Sequence, residues 1–338
     1  MPRIALNFED GVTRFLDCGA NEVLVDAAYR ARLNIPMDCR DGVCGTCKCK
    51  VEAGSFELGD YIEDALSNDE REQGFVLTCQ MRPKSDCVIS VPATSAMCKS
   101  GPAEYGAVLA EVRLLSETTI GFSVALDEPE ALNFLPGQYV QVSVPETQAS
   151  RAYSFSSILS EGRVEFLVRN IPGGLMSGYL SDRARPGDHL TIKGPSGAFY
   201  LREIARPTLF LAGGTGLAPF LAMLGHLAAD DRIGPPIRLL YGVTRDIDRV
   251  EVEKLRAFTE TIPGFSFDVC VSDPESAASM KGFVTDHFGA DDLNGGDCDV
   301  YLCGPPLMVE AVRRHFDTIG VKPAVFHYEK FNPSEAAQ

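Results

Sequence analysis

At 338 residues the chain is long enough for two or three domains, each with its own core, and its 45% hydrophobic and 23% charged content excludes wholesale disorder and a multi-span membrane protein. Thirty-one basic residues against 47 acidic ones leave a net charge of −16, a field that repels phosphate backbones and anionic lipid, so nucleic acid and membrane are excluded as partners and a basic protein surface is favoured. The eleven cysteines follow no secreted disulfide pattern: the chain opens MPRIALNFEDG, with no basic start leading into an apolar core, which points to a reducing cytoplasm and to thiols that hold a metal or do redox chemistry.

The first predicted elements are short alternating runs (IALNF, VTRFL), an amphipathic stretch from Glu22 to Leu33 and a Cys/Gly-rich loop from Cys39 to Cys47, together a small α+β module over residues 1–98. The loop reads DCRDGVCGTC, a C-x4-C-x2-C pattern, with Cys79 a long step further on in VLTCQ; this is the plant-type 2Fe-2S spacing. Four thiolates must converge on two irons, and Gly42 and Gly45 let backbone amides approach the sulfurs with unusual φ. A structural zinc site is the alternative, but it normally uses two separated short Cys pairs, and here there is one C-x2-C with an isolated partner. Cys49 would point to the opposite side of a strand, and Cys18, Cys87 and Cys98 read as buried small hydrophobes. Between Glu57 and Glu72, the acids Glu57, Asp60, Glu63, Asp64, Asp69, Glu70 and Glu72 stand against Arg71 alone, as a solvated face or as an electrostatic guide for a partner.

Residues 99–106, around Lys99-Ser100-Gly101-Pro102, read as a linker. From 107 to 206 the period becomes two: GFSVAL, GQYVQVSV, RVEFLV and HLTIKG alternate between turn signals, predicting an antiparallel sheet or barrel. Arg151-Ala152-Tyr153-Ser154 follows one strand and Gly173-Gly174-Leu175-Met176-Ser177 another. A guanidinium can clamp a diphosphate, a tyrosine can stack on a flat heterocycle, and a Gly-rich turn opening a helix offers amides to phosphate. Each also reads as an ordinary strand surface or turn, so composition alone leaves a flavin open.

From 207 to 338, apolar strands (TLFLA, IRLLYGV, FSFDVCV, CDVYLCG, PAVFHYE) alternate with helix-length segments, predicting a parallel, doubly wound sheet with ligands at the carboxyl ends of its strands. The stretch from Pro207 to Ala229 carries no Asp, Glu, Lys or Arg and approaches the length of a membrane span, but Gly213, Gly214, Gly216 and Pro219 interrupt it at a strand-to-helix turn, so it reads as a buried βα unit. Gly213-Gly214-Thr215-Gly216 can cradle a phosphate, yet Pro219 stands where G-x-G-x-x-G needs its third glycine, which disfavours an ordinary NAD-dehydrogenase domain. Cys303-Gly304-Pro305-Pro306 ends a strand and opens a helix, placing a thiol at the ligand end of the sheet. Arg245, shortly after IRLLYGV, is placed to contact a ribose phosphate. His189, His226, His287, His315 and His327 are isolated, giving no Rieske Cys-His pairing and no local oxygen-activating iron site.

Taken in order, C-x4-C-x2-C, R-x-Y-S, GGLMS, GPSG, GGTG and CGPP make the chain, from the Cys loop to Phe331, resemble the ferredoxin–NADP reductase superfamily fused behind a plant-type ferredoxin, as in reductase components of benzoate-type aromatic-ring dioxygenases. The resemblance implies a multidomain α+β and α/β chain: a β-grasp ferredoxin, an antiparallel β-barrel flavin domain and a doubly wound NAD domain. It implies that Cys39, Cys44, Cys47 and Cys79 ligate the cluster. Arg151 would contact the FAD pyrophosphate, Tyr153 stack on the isoalloxazine, and Ser154 place a hydroxyl near flavin N5. Gly174, Met176 and Ser177 would form the second flavin-phosphate turn, and Gly214, Thr215 and Gly216 the nicotinamide nucleotide's phosphate turn. Cys303, followed by Gly304, would sit beside the nicotinamide C4, while Glu329 and Phe331 resemble the C-terminal acid and aromatic that face the flavin. Ser154, Cys303 and Glu329 are then the expected catalytic residues, Ser154 and Cys303 orienting and polarising without covalent bonds. In the plant reductases the chain stops at that aromatic, whereas here Asn332 to Gln338 follow. The implied activity is an NADH-dependent oxidoreductase passing electrons from NADH to FAD, to the cluster and to a Rieske-type terminal oxygenase. A reductase for a di-iron monooxygenase of the phenol, toluene or methane type shares this order. A zinc-binding interaction protein without enzymatic activity would explain the cysteines alone.

Overall fold

The computed structural model describes residues 1–37, 40–43, 45–63, 65–98, 103–229 and 234–331. Cys39, Cys44 and Asp64 therefore lie outside the described residues. The chain forms two compact units, one made of Met1–Glu104 with Gly194–Ala198 and one of the remainder.

In the first unit, β1 (Arg3–Phe8), β2 (Thr13–Asp17), α1 (Leu24–Arg30), β3 (Lys48–Ala53), β4 (Phe56–Leu58), α2 (Asn68–Glu72), β5 (Phe75–Leu77), β6 (Met81–Pro83) and β7 (Cys87–Val91) follow one another. The main sheet runs β2-β1-β7-β3-β5, with β1 and β7 parallel at its centre and antiparallel neighbours outside them, the β-grasp arrangement. Period-two burial along β1 turns Ile4, Leu6 and Phe8 into the same core as Leu24, Ala27 and Ala28 of α1. The amphipathic stretch read over Glu22–Leu33 is helical only to Arg30, because Arg32 takes a left-handed φ of 59° and turns the chain. Cys18, Cys49, Cys87 and Cys98 are all buried in this core, and desolvation pushes the Cys18 thiol up to about 11 and that of Cys98 to about 12, as for inert hydrophobes.

The second unit takes β8 (Ala103–Ser116) from Tyr105 on, a strand that starts inside the segment expected as linker, and continues with β9 (Thr119–Leu126), β10 (Tyr139–Ser143), β11 (Ser150–Ser154), β12 (Arg163–Arg169), α3 (Leu175–Asp182) and β13 (His189–Ser196), the last to Lys193. The strands order as β11-β10-β13-β8-β9-β12, and an antiparallel bridge between Phe155 and Phe166 joins the two edges, closing a barrel. Phe122, Phe155 and Phe166 fill its interior, with Phe122 stacked on Phe166 at 5.0 Å between centroids.

The same unit contains β14 (Thr208–Gly213), α4 (Ala218–Ala228), β15 (Ile237–Val243), α5 (Val252–Thr261), β16 (Phe265–Val271), β17 (Asp299–Gly304), α6 (Pro306–Ile319) and β18 (Val325–Lys330). Its sheet is entirely parallel, in the order β16-β15-β14-β17-β18, so all five strands read from the sequence are present. β14 is apolar throughout because both faces are covered: Phe210 and Ala212 share a core with Phe220, Leu224 and Leu255, while Leu209 and Leu211 share another with Val309, Val312 and Phe316. The charge-free stretch is thus a buried strand, turn and helix, and no helix among the described residues is long and apolar enough to cross a membrane. Chain order reverses between β14 and β17, which makes their carboxyl ends the switch point where open α/β sheets take ligands.

Candidate active site

At that switch point β14 ends in Gly213, a 3-10 turn over Gly214–Leu217 follows, and α4 begins with Pro219 in its first turn, where a missing N–H costs nothing. Gly216 is buried against the end of β17: a Cβ there would lie 2.2 Å from the Cys303 carbonyl oxygen and 2.7 Å from its carbonyl carbon. Gly214 takes φ +55° and faces open space, with nothing within 4 Å of an added Cβ. Thr215 between them is half-buried. The turn is therefore built by close approach of two backbones, without the third glycine of the dinucleotide fingerprint.

β17 pairs with β18 so that Cys303 lies opposite Glu329 and Gly304 opposite Lys330, and the Phe331 N–H donates to the Gly304 carbonyl at 2.9 Å. Phe331 packs against the core that contains Cys303 and Leu217. From the barrel, Ser154 ends β11, is buried, and donates its hydroxyl to Glu329 Oε2 at 3.3 Å. A hydroxyl, a carboxylate and a thiol from widely separated sequence positions thus converge. Cys303 is wholly buried, and desolvation, reinforced by the Glu329 charge, pushes its thiol well above the ordinary value. It stays protonated, which suits packing and weak S–H donation and gives a covalent nucleophile no support.

On β11, Arg151 and Tyr153 share one face while Ala152 and Ser154 share the other. Tyr153 meets Phe122 edge-on, with centroids 6.1 Å apart, and burial raises its phenol. Arg151 Nη1 donates to the Ser150 carbonyl at 2.9 Å. The second glycine turn opens α3 as expected, with Gly173 at φ +74° and Gly174 at the N-cap. Met176 is buried in the barrel core, and the Ser177 hydroxyl donates to the Ile171 carbonyl at 2.9 Å. These two side chains therefore build the turn, and the first-turn amides of α3 have no partner within the helix.

In the first unit, Cys47 and Cys79 are buried, and the segment carrying Cys79 is stitched to the loop. Thr78 donates both its N–H and its hydroxyl to the Cys47 carbonyl, each at 3.1 Å, and Gln80 Nε2 donates to the Arg40 carbonyl at 3.0 Å. Hydrogen bonding from the Cys47 thiol, and then from the Gly42 amide, outweighs burial and holds the Cys79 thiol below its ordinary value. Gly42 has φ +75°, and a Cβ there would sit 2.6 Å from the Asp60 carbonyl oxygen. Thr78 and Gln80 were not singled out by the sequence reading; their only signal is that they flank Cys79. Of the acidic run, Glu57, Asp60, Glu63, Asp69 and Glu72 are exposed, whereas Glu70 closes a capping box with Ser67 and pairs with Lys48 at 2.6 Å.

Three family models match the chain: a 2Fe-2S iron-sulfur cluster binding domain over residues 7–84, an oxidoreductase FAD-binding domain over 106–200 and an oxidoreductase NAD-binding domain over 210–314. The chain is 55% identical to the toluate 1,2-dioxygenase electron transfer component of Pseudomonas putida, across 98% of this chain and 99% of that one. It is 48% identical to the 2-halobenzoate 1,2-dioxygenase electron transfer component of Burkholderia cepacia, across 98% of each. The chain belongs to this family of dioxygenase electron transfer components. Among solved structures, a cytochrome P450 reductase from Amycolatopsis aligns over 98% of this chain and 99% of its own, with 33% identity and a TM-score of 0.72.

As a member of this family the chain is an oxidoreductase of the ferredoxin-reductase type with 2Fe-2S, FAD-binding and NAD-binding domains. The cluster-domain match spans all four candidate cysteines, of which Cys39 and Cys44 lie outside the described residues. Arg151, Tyr153, Ser154 and the start of α3 fall in the FAD-binding match, and Gly214, Thr215, Gly216, Cys303 and Gly304 in the NAD-binding match. Glu329 and Phe331 lie beyond it, on and just after the strand that carries the carboxylate to Ser154.

Proposed function

We propose that the protein is the NADH-dependent reductase of a two-component, benzoate-type aromatic-ring dioxygenase, supplying electrons to a Rieske-type terminal oxygenase in the cytoplasm. The observation that carries the reading is the Ser154–Glu329 hydrogen bond beside Cys303, which joins the barrel to the ligand end of the parallel sheet. The working domain limits are 1–98, 107–206 and 207–338. Bound flavin supplies the conversion of a two-electron hydride donor into single electrons that a 2Fe-2S centre accepts.

The residues suit these groups. Cys79, its thiol already favoured toward the anion, and Cys47 would hold the cluster with Cys39 and Cys44, and Gly42 keeps the loop close enough for its amide to serve a sulfur. Arg151 and the first-turn amides of α3 would take the flavin diphosphate, and Tyr153 would flank the ring. Gly214, Thr215 and Gly216 would form the turn that receives the nucleotide's phosphates, with the backbone bare at Gly214 and Gly216 seated against the end of β17 beside Gly304. Ser154 would place its hydroxyl toward the flavin, Glu329 would hold that hydroxyl's direction, and Cys303 would pack beside the nicotinamide as a neutral thiol, with Phe331 covering the site.

Purified protein should carry flavin and iron, oxidise NADH with ferricyanide, and support oxidation of an aromatic carboxylate when mixed with its terminal oxygenase. A colourless, zinc-loaded protein would refute the reading. Coupling only to di-iron monooxygenases would refute its partner.

A further inference from the structure

Beside the phosphate turn, β14 and β15 run in register with Gly213 opposite Gly242, and the loop leaving β15 carries Arg245 as its second residue. In a doubly wound sheet the group that sorts a ribose 2′-hydroxyl from a 2′-phosphate sits in this region. Here the arginine is already occupied. Its Nε lies 3.3 Å and its own backbone N–H 3.0 Å from Asp248 Oδ2, its Nη2 lies 3.4 Å from Oδ1, and its Nη1 lies 3.5 Å from Glu117 Oε2. Thr118 donates to Asp248 Oδ1 at 2.6 Å and fixes that carboxylate from the barrel side. Glu117 and Thr118 form the turn between β8 and β9, so a flavin-domain element reaches over to the nucleotide-domain loop. The second cation of the loop, Arg249, is itself paired with Asp246 at 2.7 Å.

We propose that Arg245 clamped by Asp248, and held there by Thr118 and Glu117 of the barrel turn, is the filter by which this protein accepts a nicotinamide nucleotide with a free ribose 2′-hydroxyl and rejects the 2′-phosphorylated form. The inference rests on the reading of the chain as a nicotinamide-dependent reductase. An unclamped guanidinium at this place would be a fork-shaped phosphate receptor. Clamped, it has Nε and Nη2 on Asp248 and Nη1 on Glu117, so an incoming 2′-phosphate must compete with two carboxylates for it and meets Asp246, Asp248 and Glu117 beside Arg245 and Arg249. An uncharged ribose edge leaves the clamp intact. The residue that the sequence offers as a phosphate contact thus acts with the opposite sign. Asp248 and Thr118 are the positioning residues.

The test uses the full-length, FAD-loaded protein. Ferricyanide reduction gives kcat and KM for NADH and NADPH, and calorimetry gives the affinities for ADP-ribose and 2′-phospho-ADP-ribose. Asp248→Asn should raise the NADPH/NADH ratio of kcat/KM about tenfold or more, through KM, and tighten 2′-phospho-ADP-ribose by a similar factor. Thr118→Val should move both in the same direction by less, and it carries the test if Asp248→Asn folds poorly. The double variant Asp248→Asn/Arg245→Ala should lose the gain. Unmoved ratios and affinities in both single variants, or a gain that survives removal of Arg245, overturn the filter. If the wild type oxidises neither nucleotide and binds neither fragment, it is the underlying functional reading that fails.

Discussion

Gly216→Ala probes the phosphate turn where two backbones touch. The added methyl carbon would stand 2.2 Å from the Cys303 carbonyl oxygen, 2.7 Å from the carbonyl carbon and 3.1 Å from the Gly304 nitrogen. All three are main-chain atoms at the end of a strand paired on both sides, so no side-chain rotation relieves them. Reaching ordinary contact requires the turn and β17 to separate by about 1 Å, an overpacking that typically costs about 1–3 kcal/mol. The same displacement moves the nucleotide's phosphates and Cys303 apart, and a misplacement of that size costs about 100-fold in rate. Gly214→Ala is the matched comparison: φ is +55° but nothing lies within 4 Å, so the cost is confined to left-handed backbone, about 1–2 kcal/mol, and the turn stays in place. Steady-state NADH–ferricyanide kinetics, with flavin content and thermal unfolding as controls, should show kcat/KM for NADH lowered about 100-fold in Gly216→Ala and only a few-fold in Gly214→Ala. Wild-type kinetics in Gly216→Ala, or equal damage in the two variants, would refute the close-approach reasoning.

Gly42→Ala should deplete the cluster while sparing the flavin, because its Cβ would meet the Asp60 carbonyl oxygen at 2.6 Å and push the Cys loop away from Thr78 and Cys79; full iron per chain in this variant would count against the cradle. His327 is pushed down to about 3 by burial and secondarily by Arg202, so the unfolded chain takes up the proton first and the associated stability, present above the ordinary histidine value, is lost as pH falls. Unfolding free energy should therefore drop by about 2 kcal/mol from pH 8 to pH 5 beyond the change seen in His327→Gln, and parallel curves for the two proteins would remove His327 from the account. Turnover with the terminal oxygenase should slow as salt rises while ferricyanide reduction does not, through the exposed Glu63, Asp69 and Glu72; equal salt sensitivity of the two reactions would show that this acidic face does not guide docking.

What the sequence made legible is what local chemistry encodes. Strands covered on both faces announce themselves as apolar runs, which is why all five strands of the parallel sheet could be read, and period-two runs marked the barrel. The start of β8 was hidden because Gly101, Pro102 and Gly106 signal a break, whereas in the fold Gly106 accepts a backbone hydrogen bond from Asp127 at 3.0 Å inside a long strand. The Ser154–Glu329 contact joins positions 175 residues apart, and the Asp248–Thr118 contact joins positions 130 apart; no local pattern carries either, and only motif order hinted at the first. Arg245 was visible as a charge, but the sign of its effect depends on partners that the chain brings from another domain.

Two cysteines show why spacing nonetheless predicted chemistry. Cys79 and Cys303 are both buried, at 5% and 0% exposure, so burial does not distinguish them. Their neighbours do. Cys79 receives hydrogen bonds from the Cys47 thiol and the Gly42 amide, which favour the thiolate a metal needs, whereas Cys303 faces apolar side chains and the Glu329 charge, which keep the proton on. The donors around Cys79 come from the C-x4-C-x2-C loop itself: its glycine frees an amide and its last cysteine lends a thiol. The acceptor beside Cys303 comes from a parallel strand reached only through α6. A ligand motif is readable because it carries its own donors; a strand-end thiol is not, because what sets its protonation arrives with the fold.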